Sequence, residues 1–349
     1  MSRLDRRRLL TSGLAAAAAL PILRSPAAAA GDTLNVYGWD TYLGPTTLAD
    51  FTAATGIAVR YDVYASNAEL FARLREGNPG YDVIFPSSDN VERMIAAGML
   101  MKLDPASIPG MANIASAFAD PAYDPGRAHS APYFWGAMGI GYRRPVAPPE
   151  SWSALFEPRR YQGRIALLDN SDIVRVAMRY LGHSINDTDP ARIEQAAELL
   201  ITAKPHVKSF APDTGQDLLA AGEVDLCAEW SGDLLQVMEE DPELGFTIPA
   251  EGTLLWEDAL CIPKGAPNPA AAHAFIDFIL QPEIHAAIAR AVRYPCPNAA
   301  ALPLIPEADR LNPTIYPPAE LLARSERRGY GGEAAAARYE AALTRVLAA

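Results

Sequence analysis

The sequence predicts an α/β fold of two lobes, each a mixed, mostly parallel sheet flanked by helices, with a cleft between them. Three observations predict it. At 349 residues the chain is too long for one small domain and fits two lobes of ordinary size. Half its residues are hydrophobic and a fifth charged, the profile of a soluble globular protein. Strand and helix patterns alternate, stop at the Pro-rich stretch "RRPVAPPESW", and then alternate again.

The first set of elements begins with "TLNVYGW", a strand pattern. "TTLADFTAATG" follows with helical spacing of Leu48 and Phe51 and Gly56 as its stop. "IAVRYDVY" alternates Ile57, Val59, Tyr61 and Val63 as a strand, and "SNAELFARLREG" opens on the cap residues Ser66 and Asn67. "YDVIFPSS" reads as a strand and "DNVERMIAAGML" as a helix. This βαβαβ order implies parallel pairing, with ligands expected at the C-terminal strand ends. In the second set "GRIALLDNSDIVRVAMRYLG" and "EVDLCAEWSGDLLQVMEE" each read as strand, turn and helix. "TLLWEDALCIP" is a long strand, and "NPAAAHAFIDFIL" an amphipathic helix.

Residues 1–30 differ from the rest. A basic start, "MSRLDRRRLL", precedes a short apolar run and the small residues "RSPAAAA", the pattern of an export signal cleaved near Ala30. Arg6 and Arg7 fit a twin-arginine signal, and an ordinary Sec signal is the alternative. Without this segment 25 basic residues face 41 acidic ones, a net charge of −16. That balance argues against nucleic acid and allows a cationic partner. Cys227, Cys261 and Cys296 lie in apolar or Pro-rich settings without metal-ligand spacing; buried free thiols are expected, with one disulfide as the alternative.

Acidic and aromatic residues recur at the predicted strand ends. They are Trp39-Asp40-Thr41-Tyr42, Ser87-Ser88-Asp89, Asp169-Asn170-Ser171-Asp172, Trp230-Ser231-Gly232-Asp233, Trp256-Glu257-Asp258, and Tyr294 beside Arg293, the one basic residue in these clusters. Each has a bland reading: Asp172 and Asp233 as first-turn or cap carboxylates, Ser87 as a turn residue, the tryptophans as core. Together they suit a ligand both cationic and aliphatic. An ammonium leaving water needs charge-assisted hydrogen bonds, which carboxylates supply. Tryptophan and tyrosine faces add about 0.5–2 kcal/mol each by cation–π attraction and wall the methylenes. A linear polyamine fits such a box. A glycosidase reading would pair Asp169 with Asp172, but a spacing of three residues on one segment is not diagnostic. Scattered histidines and the lack of a phosphate-binding glycine motif leave no metal, cofactor or catalytic residue indicated.

The chain resembles the bacterial periplasmic spermidine/putrescine-binding proteins, the substrate-binding components of polyamine ABC importers. The resemblance covers the sequence after residue 30 and rests on an ordered series: "YGWDTYLGPTTLADFTAATGIAV", "YDVIFPSS", "APYFWGAMGIGY", "LGHSINDTDPARIE", "EWSGD", "LLWEDALCIP" and "YPCPN". It implies a type II periplasmic binding protein fold with a hinge of crossing strands. Residues 31–134 plus 258–301 would form one lobe, and 135–257 plus 302–349 the other. It further implies a monomer that closes on a polyamine, serves an inner-membrane permease and catalyses nothing. The family's aromatic box falls on Trp39, Tyr42, Trp230, Trp256 and Tyr294, its amine-binding acids on Asp169, Asp172 and Asp258, and its serine on Ser87. Asp233 matches an acid of putrescine-preferring members, and Asp40 a variable position.

Three departures bear on the ligand. Asp89 stands where spermidine binders carry an aromatic, and Asp172 is shorter than the usual Glu. The family's C-terminal glutamine has no clear counterpart in "RRGYGGEAA". The expected arrangement has amines at Asp258 and Asp233 at one end and Asp169 and Asp172 at the other. Putrescine and spermidine are the leading ligands; GABA or agmatine, or a sensor role, are the alternatives.

Overall fold

The computed structural model describes residues 33–157 and 160–349; the export-signal segment lies outside them. Strand β1 (Thr33–Gly38) pairs in parallel with β2 (Ala58–Val63) along its whole length and with β3 (Val83–Ile84). The helices between them start and stop where side-chain chemistry dictates. Thr47–Thr55 ends at Gly56, whose φ of 76° suits a residue without Cβ. Asn67–Arg75 is capped by Ser66, whose Oγ accepts from Glu69 N, while Glu69 Oε2 reaches back to accept from Ala65 N just before the cap. Strand β3 is only two residues long, shorter than "YDVIFPSS" suggests, since Pro86 offers no N–H and helix Ser88–Ala96 begins right after Ser87.

The molecule is held together by β4 (Ser130–Arg143), a 14-residue strand buried on both faces. At about 3.3 Å per residue it runs roughly 45 Å, enough to cross both halves. Beyond it lie β5 (Ile165–Leu168), β6 (Ser209–Ala211), β7 (Leu226–Trp230) and β8 (Leu244–Thr247), followed by β9 (Leu254–Cys261) and β10 (Glu326–Arg327). Ser130–Ala137 of β4 lies antiparallel to β9, and β9 meets β3 at Ile84. Met138–Tyr142 of β4 then pairs with β7, which adjoins the parallel β5 and β6. The order is β2-β1-β3-β9-β4-β7-β5-β6, with β8 on β4 and β10 on β9. The sheet is therefore mixed and open. Parallel βαβ units occupy its two ends and antiparallel strands join them.

Helices cover both faces. The last one, Glu333–Ala348, packs on Pro190–Ala203 and buries Tyr339 and Val346. All three cysteines are buried and unpaired, as the apolar settings predicted. No helix among the described residues is long and apolar enough to cross a membrane.

Candidate functional site

The C-terminal end of β1 carries the first cluster. Gly38 leaves room for Tyr61, whose hydroxyl would lie 2.2 Å from any Cβ there. Tyr61 thereby donates to Trp39 O at 2.7 Å and fixes the turn. Trp39 is half-buried; its indole N–H donates to Phe85 O at 2.9 Å and its ring tilts against Tyr64. Asp40 is exposed and accepts from its neighbour Thr41 N, the role of a turn residue. Tyr42 turns inward, and its hydroxyl donates to Asp258 Oδ2 at 2.9 Å.

The two-residue period of β9 sorts its cluster. Trp256 and Asp258 share one face, while Glu257 points the other way to Arg127, Tyr123 and Arg327. Asp258 is buried and has one oxygen, Oδ1, without a partner. Burial pushes its carboxyl up to about 7, although the nearby Ser87 hydroxyl and the hydrogen bond from Tyr42 favour the ionised form. Ser87 also bonds with Asn67, which fixes it beside Asp258 through an isolated bridge. Trp256 lies over Gly136 of β4, where a Cβ would meet the indole at 2.6 Å. Its Nε1 has no acceptor.

Tyr294 stands edge-on to Trp256, with ring centroids 4.7 Å apart, and Trp256 is edge-on to Trp230. Gly232 lies under the Tyr294 ring, and the Tyr294 hydroxyl donates to Asp233 Oδ2 at 2.7 Å. Burial, with the neighbouring Asp213 charge, raises Asp233 to about 8 despite that hydrogen bond. Two acids absent from the sequence reading complete this end. Asp213, Glu229 and Asp233 bring carboxylate oxygens within 4.8 Å of one another. Burial raises Asp213 and drives Glu229 well above the usual carboxylate range. Glu229 was detectable as the one acid inside the apolar strand "LCAEW"; Asp213, in "PDTG", reads as a turn. Asp169, at the end of β5, lies close enough for its charge to act on Asp213. Three donor oxygens fall short of the 6–8 that calcium takes, whereas an ammonium offers three N–H groups to three acceptors.

The opposite end holds a cation that the strand-end clusters did not contain. The Arg328 side chain is largely shielded from solvent and ion-paired with Asp89 at 2.8 Å and with Asp172 Oδ2. Burial alone would weaken the guanidinium charge, but Asp172 and Asp89 together raise its pKa. Asp172 also lies 4.0 Å from Arg175. Asp89 and Asp172 are therefore not bare carboxylates, which corrects the reading of Asp172 as a free amine-binding acid and leaves no paired acid and base with Asp169. Arg293, the one basic residue expected near the site, turns away to Glu239 and Asp309.

Trp39, Tyr42, Ser87, Trp230, Asp233, Trp256, Asp258 and Tyr294 thus converge where β1, β3 and β7 end against the middle of β9, so Trp256 and Asp258 are mid-strand rather than strand-end residues, and Asp40 stands outside. The bacterial extracellular solute-binding protein family matches the chain over residues 46–312. The chain belongs to that family. The putrescine-binding periplasmic protein SpuD of Pseudomonas aeruginosa is 37% identical to this solute-binding protein over 316 residues, 84% of this chain and 86% of SpuD. The spermidine/putrescine-binding periplasmic protein of Escherichia coli K12 is 34% identical over 319 residues, 90% of this chain and 91% of its own. Among solved structures, the spermidine/putrescine ABC transporter substrate-binding protein PotD of Streptococcus pneumoniae superposes with a TM-score of 0.79 at 31% identity, covering 91% of this chain and 99% of PotD. This solute-binding protein accordingly has the two-lobed periplasmic binding protein fold.

Proposed function

We infer that this protein is the periplasmic polyamine-binding component of an ABC importer. The observation that carries the reading is a pair of carboxylates, buried Asp258 and half-buried Asp233, neither of which forms an ion pair with a lysine or arginine among the described residues. Each is held by a tyrosine hydroxyl, and tryptophans lie beside both. Buried acids of this kind cost stability until a cation pairs with them. The names of the relatives supply the class of that cation.

The ligand's ammonium groups sit at Asp258 and Asp233, with Asp213, Glu229 and Asp169 around the latter. Its methylenes lie between Trp39, Trp230 and Trp256. Trp39 comes from the β1 half and Trp230 from the β7 half, so a ligand touching both favours the closed cleft, and that population shift is what a permease reads. Residues 31–134 plus 258–301 and 135–257 plus 302–349 are the lobes, hinged where β4 and β9 cross. Residues 1–30 direct export to the periplasm, and the protein acts as a monomer without catalysis. Isothermal titration of ligand-stripped protein with putrescine, spermidine and GABA tests the reading. Saturable heat with a polyamine is expected; folded protein giving no heat with any amine overturns it.

A further inference from the structure

Resting on that reading, we propose that Arg328 sets the length of the ligand: its guanidinium takes the place of a ligand ammonium at Asp89 and Asp172, so the cleft accepts a short diamine and turns away a triamine. Arg328 joins one carboxylate at the start of helix Ser88–Ala96 to another at the start of helix Asp172–Tyr180. These helices belong to the β1 and β5 ends of the sheet. Arg328 therefore makes, from within the chain, the same two-sided bridge that a bound ammonium makes.

The bridge is anchored rather than loose. Arg328 follows β10, and its N–H donates to Leu255 O at 2.9 Å, one residue before Trp256. Its carbonyl accepts from Ser88 Oγ, and the next residue, Gly329, donates to Asn186 Oδ1 at 2.9 Å. The side chains of Arg328, Asp89 and Asp172 are 10%, 17% and 6% exposed. This is a desolvated ion triad beside the aromatic box.

Charge then decides what fits. A further ligand ammonium at this end would meet the guanidinium, and displacing Arg328 would leave a tethered cation unpaired in a buried site. A ligand carboxylate gains nothing there either, because Arg328 is already shared by two carboxylates and Asp258 lies close by. The acids without an ion pair to a basic residue among the described residues are Asp258, next to this end, and the Asp213–Glu229–Asp233 group beside Tyr294. The ligand's cationic groups belong with them.

Isothermal titration of wild type and Arg328→Gln with putrescine and spermidine, after circular dichroism confirms folding, tests this. Wild type is expected to bind putrescine at least about tenfold tighter than spermidine, and Arg328→Gln to shrink that ratio about tenfold, chiefly by gaining spermidine. Asp89→Asn/Arg328→Gln leaves one bare carboxylate fewer, serves where the single variant does not fold, and is expected to shift the ratio the same way. Wild type binding spermidine as tightly as putrescine overturns the proposal, as does an unchanged ratio in a folded variant. Binding of both amines with either of those results sinks the role of Arg328 alone; absence of all amine binding sinks the polyamine reading and this with it.

Discussion

The Tyr42 hydroxyl donates to Asp258 Oδ2 at 2.9 Å across a sequence separation of 216 residues. One end of this bond comes from the turn after β1, the other from a strand that crosses the molecule. It holds a buried carboxylate with its second oxygen unclaimed, ready for a cation.

Asp258→Asn separates binding from folding. The variant is expected to lose about 100-fold or more in putrescine affinity, from roughly 3 kcal/mol for one partner of a buried charge pair. Its ligand-free melting temperature is expected to hold or rise, because a carboxyl that burial lifts to about 7 strains the empty site. Titration calorimetry beside a thermal melt checks both. A melting temperature that drops along with affinity would make Asp258 a structural residue.

Stability of the ligand-free protein is expected to fall with rising pH. Burial raises Asp258 to about 7 and Asp233 to about 8 from an ordinary value of 3.8. Between those limits the folded state holds more protons than the unfolded one. The contribution is complete at acidic pH and is lost as pH climbs through about 7 and then about 8. Putrescine favours the ionised acids, so its thermal upshift should grow from about pH 5.5 to about pH 8.5, with protons released on binding. Calorimetry in buffers of different ionisation enthalpy counts those protons. A pH-independent upshift contradicts the assignment.

Arg127→Met probes the other face of β9. The Arg127–Glu257 pair is almost wholly buried, with Arg327 and Tyr123 as Glu257's further partners. Removing one member leaves a buried charge underpaired, a loss of roughly 3 kcal/mol by urea unfolding. Ligand affinity of the folded variant is expected to stay within about twofold, since β9 alternation points Glu257 away from the box.

The three cysteines are expected to resist a thiol reagent in the native protein and all to react in denaturant. Burial raises Cys227 and Cys261 well above the usual thiol value and Cys296 to about 12. Fast native labelling at any of them would show that its surroundings open.

Much of this protein was legible locally. The helix at Thr47–Thr55 with its Gly56 stop, the Ser66 cap, and the alternation that sets Trp256 and Asp258 on one face follow from neighbouring residues alone. Strand-end placement of Trp39, Tyr42, Trp230 and Asp233 followed from the βαβ pattern, because parallel sheets put those ends together. Asp213 carried no local signal, being a turn residue until folding brings it to Glu229 and Asp233. Arg328 carried none either: it lies 156 residues from Asp172, and its stretch "RRGYGG" has no periodicity. Sequence by itself determined the elements and the aromatic and acidic inventory, since each depends on contacts close in the chain, while the structure settled that the three thiols stay unpaired. Only the tertiary structure decided which acids stay unneutralised, because a charge's partner is set by distance in space, and β10 alone brings Arg328 to Asp89 and Asp172.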